Sequence, residues 1–161
     1  MKTLLLVRHG KSSWDHQGLS DHDRPLNDRG LRDAPEMGRR LAERGVSPDV
    51  ILSSTALRAR TTAELIAEAL GFGADRVITD ERLYAASASE VLGVIQELDD
   101  SVGCAIVIGH NPETASLAQK FSEDIAEMPT CAIAEFTFDV DAWSGVGDVE
   151  PDAVRVDTPR S

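Results

Sequence analysis

Cysteine is scarce in this 161-residue chain, with only two present, and no apolar run is long enough to span a bilayer. Cys104 and Cys131 both lie in apolar segments, so buried thiols in a reducing compartment are expected rather than a disulfide. The first residues run straight into a strand-like segment with no small-residue cleavage site. Neither secretion nor membrane insertion is indicated, and a cytoplasmic location is expected. Basic residues are also outnumbered: 16 Lys and Arg against 28 Asp and Glu leave a formal charge of −12. A general nucleic-acid-binding surface needs clustered Lys and Arg, so that class is set aside. Phosphate binding is not, because a few local cations can dominate a pocket on an otherwise acidic protein. The sequence also lacks internal repeats, low-complexity tracts, domain linkers and a convincing metal-ligand cluster.

What remains is an ordinary globular composition, 42% hydrophobic and 27% charged. The length suits one domain over residues 1–161, large enough to bury roughly 70% of its unfolded surface. Strand and helix patterns alternate. Thr3 to Val7 is a continuous apolar run of buried-strand type. Ser12 to Pro25 is rich in Asp, His, Ser and Gly and has no periodicity, which reads as a loop of functional length. Asn27 is placed to cap a helix reaching about Arg44, with Leu31, Ala34, Gly38 and Leu41 on its inner face. Pro35 inside that pattern predicts a kink or a delayed start. Val50 to Ser53 reads as a strand, Ala56 to Leu70 as a helix and Val77 to Thr79 as a short strand. Ser87 with Glu90 forms a capping box for the next helix, and Ala105 to Ile108 is a further buried strand. Asn111 then Pro112 predicts an N-cap with proline at the first helical position. Ala132 to Val140 and Ala153 to Val156 read as strands with no helix between them. The expected fold is α/β: a three-layer α/β/α sandwich whose mostly parallel sheet gains an antiparallel or edge extension near the C-terminus.

Three strand tips carry unusual polar residues. The first ends in Arg8-His9-Gly10. The second leads through Ser53-Ser54-Thr55 to Arg58 in the first turn of a helix, and the late buried strand ends in Gly109-His110-Asn111-Pro112. Parallel strands carry all three tips to one sheet edge, where ligands of open α/β sheets bind. Two arginines and two histidines there suit an oxyanion of charge near −2, since guanidinium forks match phosphate oxygens. Arg58 opposes its helix macrodipole and calls for an anionic partner. On these residues alone, an enzyme or a simple phosphate-binding module would fit.

Val7-Arg8-His9-Gly10-Lys11-Ser12-Ser13-Trp14, Asp23-Arg24-Pro25-Leu26, Leu57-Arg58-Ala59-Arg60 and Val107-Ile108-Gly109-His110-Asn111-Pro112 resemble, in order and interval, the histidine phosphatase superfamily. Within it the chain resembles the small phosphohistidine phosphatases of the SixA type, over Leu4 to about Trp143. The resemblance implies that His9 is the nucleophile that accepts the phosphoryl group, with Arg8, Arg58 and His110 binding its oxygens. No metal or other cofactor is implied. The segment Asp80-Glu81-Arg82-Leu83-Tyr84 resembles the one that supplies an acid in the mutase branch, which nominates Glu81, with a solvated glutamate as the alternative. Asp15 is a weaker candidate. Lys11 replaces the Glu common in the mutase branch and is a candidate substrate contact. Trp14 reads as a loop anchor rather than a ligand stack, His16 and His22 as solvated loop residues that could approach a substrate, and Arg24 with Asp23 as an ion pair holding the loop rather than a phosphate site. The expected substrates are phosphohistidine in a protein or another small phospho-substrate. The short stretch between Tyr84 and the late buried strand implies an open site, which suits a phosphorylated protein surface.

Overall fold

A computed structural model describes residues 1–160. Six strands form one sheet in the order β3-β2-β4-β1-β5-β6. They are β1 (Lys2–Arg8), β2 (Val50–Ser53), β3 (Ile78–Thr79), β4 (Cys104–Gly109), β5 (Ile133–Phe138) and β6 (Ala153–Asp157). The first four run parallel; β5 pairs antiparallel with β1, and β6 antiparallel with β5. The antiparallel extension expected at the C-terminal end of the chain is therefore present. Cys104 and Cys131 are both free thiols.

Period-two alternation explains the layers. On β1, Leu5 and Val7 join Ile51, Ile106 and Ile108 beneath α1 (Asp28–Glu43) and α2 (Leu57–Ala69). Leu4 and Leu6 join Leu52, Ala105 and Val107 on the opposite face, under α3 (Ala88–Gln96) and α4 (Glu113–Phe121). Both faces of the parallel core are buried, which is why β1 and β4 read as uninterrupted apolar runs. Among the described residues, no helix is long and apolar enough to cross a membrane.

Helix ends follow their local chemistry. The Asn27 side chain accepts the Gly30 N–H at 3.0 Å, and Ser87 with Glu90 makes the full capping box of α3. Helix α1 starts at Asp28 with Pro35 inside it, so of the two outcomes expected from Pro35 a delayed start is not the one found. Two expectations need correction. Leu31 is 46% exposed, because the first turn of α1 packs through Gly30 rather than through Leu31. Pro112 occupies the cap position of α4, one residue before the helix begins, although Asn111 Oδ1 still accepts the Ala115 N–H at 3.2 Å.

Gly30 brings α1 against the turn that follows β1. A Cβ on Gly30 would overlap the Lys11 carbonyl oxygen and sit 3.1 Å from the Lys11 nitrogen, both backbone atoms that cannot swing aside. Gly30→Ala is therefore expected to lower stability by about 1–3 kcal/mol. Urea unfolding measures it, and an unchanged midpoint would mean that the close approach is not there.

Candidate active site

Register delivers the three tips to one place. Arg8 lies opposite Gly109, and Val7, Ile108 and Ser53 stand side by side across β1, β4 and β2. The chain beyond each strand stays tied to its neighbour: His9 N–H donates to Gly109 O at 3.0 Å, and Ser54 N–H to Ile108 O at 3.1 Å. Cys131 N–H, from the turn before β5, lies 3.0 Å from the carbonyl oxygens of both Arg8 and His9. Gly10 N–H donates to Thr62 Oγ1 at 3.0 Å, whose own hydroxyl donates to Arg58 O at 2.7 Å. Thr62 is thus a polar tie between the first turn and α2.

A cavity of ≈ 340 Å³ opens here, lined by Arg8, His9, Lys11, Ser12, Trp14, Arg24, Arg58, His110, Asn111 and Thr130. Grooves of ≈ 360 Å³ and ≈ 470 Å³ near Lys120 and Pro151 are larger but carry no histidine, cysteine or arginine. Chemistry, not volume, distinguishes the site.

His9 Nδ1 lies 2.7 Å from Gly10 O. A carbonyl can only accept, so Nδ1 carries the proton and Nε2 of the neutral ring keeps its lone pair. Burial pushes the His9 imidazole down to about 3 despite the Gly10 bond, and His110, Arg58 and Arg8 push the same way. His110 is held down at about 4, by burial and then by Arg58. Its Nε2 lies 2.8 Å from Ser54 Oγ, which already accepts the Ala56 N–H at 3.2 Å. The serine O–H can then donate to Nε2, leaving the ring proton on Nδ1.

Arg8 Nε, Arg58 Nε and His110 Nδ1 are buried without a hydrogen-bond partner among the described residues. An unpaired buried donor costs about 1–3 kcal/mol, more when charged. Three such donors around one cavity match a tetrahedral oxyanion, which would satisfy them together. Other guanidinium atoms are already used: Arg8 Nη1 donates to Met128 O at 3.1 Å, and Arg58 donates to Asp21 O at 2.7 Å and Asp21 Oδ2 at 3.0 Å.

Asp21 supplies the anionic partner that the position of Arg58 calls for, and the sequence reading overlooked it. It also accepts from Tyr84 Oη at 2.8 Å and from Arg24 Nε and Nη2, each at 3.2 Å. The Tyr84 hydroxyl, then Arg58 and Arg24, hold its carboxyl down at about 2. Arg24 does hold the loop, but through Asp21; Asp23 lies beside His22 instead, at 3.4 Å. His22 is half-buried, with Nε2 2.9 Å from Thr55 Oγ1 and its ring edge-on to Tyr84, so it is not a free loop residue.

The sequence-predicted residues divide clearly. Arg8, His9, Arg58 and His110 converge, and Lys11 stands exposed at the mouth. Glu81 and Asp15 are exposed and outside the cavity lining. The segment around Glu81 sends Tyr84 toward the site instead, its ring 5.7 Å from that of His110. Trp14 is 74% exposed, so it does not anchor the loop. The cue that was available for Asp21 is its place three residues before Arg24, a spacing that suits an ion pair.

The family described as histidine phosphatase superfamily (branch 1) matches residues 4–102. An uncharacterized protein of Mycobacterium tuberculosis is 40% identical over 112 residues, which are 70% of this chain and 67% of that protein. A 2,3-bisphosphoglycerate-dependent phosphoglycerate mutase of Chelativorans sp. is 35% identical over 94 residues, 57% of this chain and 46% of the mutase. The chain therefore spans about two thirds of the first relative and under half of the mutase. A crystal structure assigned to phosphohistidine phosphatase SixA from Agrobacterium tumefaciens superposes with a TM-score of 0.76 at 30% identity, covering 84% of this chain and 90% of that one.

The depressed histidines have a consequence for stability. As pH falls below the ordinary histidine value near 6.5, the unfolded chain takes up protons that the native rings at about 3 and about 4 refuse. Their contribution is intact above about pH 6.5 and is lost progressively toward those lower values, on the order of 1–2 kcal/mol per ring by about pH 5. The urea midpoint is expected to fall between about pH 7 and about pH 5, and less steeply in the His9→Gln, His110→Gln double variant. Parallel slopes would refute the depressed values.

Proposed function

The chain belongs to the histidine phosphatase superfamily, a family of phosphatases and mutases, and from that premise we propose that it hydrolyses phosphohistidine in a protein through a phosphoryl group carried on His9. The observation that carries this reading is the cavity wall: two guanidiniums with Nε donors to spare, two neutral imidazoles and, among the described residues, no carboxyl group.

His9 Nε2 attacks phosphorus with its lone pair while Nδ1–H stays on Gly10 O. A new P–N bond forms as the bond from phosphorus to the leaving nitrogen breaks. Arg8, Arg58 and His110 Nδ1–H meet the charge that spreads over the equatorial oxygens. A leaving imidazole takes its proton from solvent at its far nitrogen, outside the cavity, and departs neutral. Water then forms a P–O bond as the P–Nε2 bond breaks, releasing inorganic phosphate and restoring His9.

An alkoxide leaving group lacks that second nitrogen and needs a proton donor at the bridging oxygen. Asp21, ionised at about 2, cannot serve, and Glu81 lies outside the cavity lining. The wall therefore favours a P–N substrate over a phosphomonoester. The similarity to a phosphoglycerate mutase supports the second reading, a small-molecule phosphomonoesterase or mutase.

Brief reaction with a phosphodonor is expected to place covalent phosphate on His9, lost in His9→Ala. Arg58→Ala should lower kcat/KM by about 10²- to 10³-fold. Glu81→Gln should stay within about threefold, where loss of a general acid would cost about 10²- to 10⁴-fold. A panel of phosphohistidine, sugar phosphates and phosphoglycerate decides the substrate, and preferential turnover of phosphoglycerate would overturn the assignment in favour of the second reading.

A further inference from the structure

Resting on the phosphohistidine reading, we propose that Trp14, backed by Arg24, is an aromatic platform that stacks on the imidazole ring of the leaving group and so selects ring-bearing phosphoramidates. The chain has two tryptophans. Trp143 serves packing: it is fully buried, and its Nε1 donates to Val102 O at 2.7 Å. Trp14 is 74% exposed and lines the cavity that holds His9. An indole left in solvent gains little from the hydrophobic effect, so packing does not account for its placement.

Its orientation is nevertheless held. The Arg24 guanidinium lies 3.5 Å from the Trp14 ring centroid, close enough to cover one face. Arg24 itself is buried and fixed. Its Nη1 donates to Ser12 Oγ at 2.7 Å and Ser13 O at 3.2 Å, while Nε and Nη2 both reach Asp21 Oδ1 at 3.2 Å. The backbone after Trp14 is tied too, since Asp15 N–H donates to Ser13 Oγ at 3.1 Å. A rigid cation holds one face of the ring and leaves the other to a ligand.

In-line displacement places the leaving group on the side of phosphorus away from His9 Nε2. With the phosphoryl group among Arg8, His9, Arg58 and His110, that side faces the mouth, where Trp14 and Lys11 stand. An imidazole has a flat π-face to offer there; the alkyl chains of phosphoserine or phosphoglycerate have none.

Phosphoramidate carries the same P–N bond without the ring, so the ratio of kcat/KM for free phosphohistidine to that for phosphoramidate isolates the stacking. In Trp14→Ala this ratio should fall about fivefold to thirtyfold, and Trp14→Phe should hold it within about threefold of wild type. A ratio that stays within about twofold in Trp14→Ala, or that falls equally in Trp14→Phe, overturns the platform while leaving the phosphohistidine reading intact. Wild-type protein that turns over phosphoglycerate and leaves phosphohistidine untouched overturns that reading, and the platform with it.

Discussion

Burial of guanidinium nitrogens beside two imidazoles at one sheet edge is the constraint that organises this molecule. A buried cation is expensive unless something answers it. Burial, with the arginines adding to it, limits that cost in part by keeping the histidines neutral: His9 sits at about 3 and His110 at about 4. That neutrality is also what the proposed nucleophile needs, because an imidazolium has no lone pair to give. One physical effect, desolvation, therefore both limits the charge of the site and leaves His9 the lone pair that the proposed attack needs.

Asp21 provides the other part of the answer. Its side chain is half in solvent, yet it binds Arg58, Arg24 and Tyr84 at once. Because the contact uses Arg58 Nη2 and the backbone contact uses Nη1, Arg58 Nε is left over. Arg8 is divided in the same way, Nη1 on Met128 O and Nε unpaired. Each arginine is thus oriented by protein groups on one part of its fork and keeps a donor in reserve. The net charge of −12 does not cancel this arrangement, since exposed carboxylates are screened over about 8 Å at physiological ionic strength while buried donors are screened far less.

Legibility in the sequence followed the range of the interaction. Buried runs, the Asn27 cap and the Ser87–Glu90 box depend on neighbours within a few positions, and they could be read directly. Convergence of Arg8, His9, Arg58 and His110 could also be read, because parallel strands force their tips to one edge whatever the details. Leu31, Trp14, Glu81 and Asp21 could not. Leu31 and Trp14 have the right chemistry to be buried, but whether anything lies above them depends on where distant segments pass. Glu81 sits in a short turn where a shift of three residues exchanges a solvated carboxylate for Tyr84. Asp21 looked like one acid among several in a polar loop, and only the fold shows that Arg58, 37 positions away, is its partner.

The same distinction bears on how substrate choice arises in this fold. On the proposed reading, the floor of the cavity recognises a phosphoryl group; it is built from strand tips, which parallel pairing holds rigidly. The mouth is built from the loop between β1 and α1, whose Arg24 is positioned by local ties to Ser12, Ser13 and Asp21 and in turn backs Trp14. On that reading, chemistry common to all phosphoryl donors rests on long-range register, whereas discrimination among leaving groups rests on a loop that can change residue by residue without disturbing the sheet. Gly30 is where the two meet: its lack of a side chain lets α1 press on the Lys11 backbone, fixing the root of the loop while its middle faces solvent. On the proposed reading, a wall with no carboxyl group among the described residues acts as a filter in itself, passing leaving groups that can be protonated by water and slowing those that cannot.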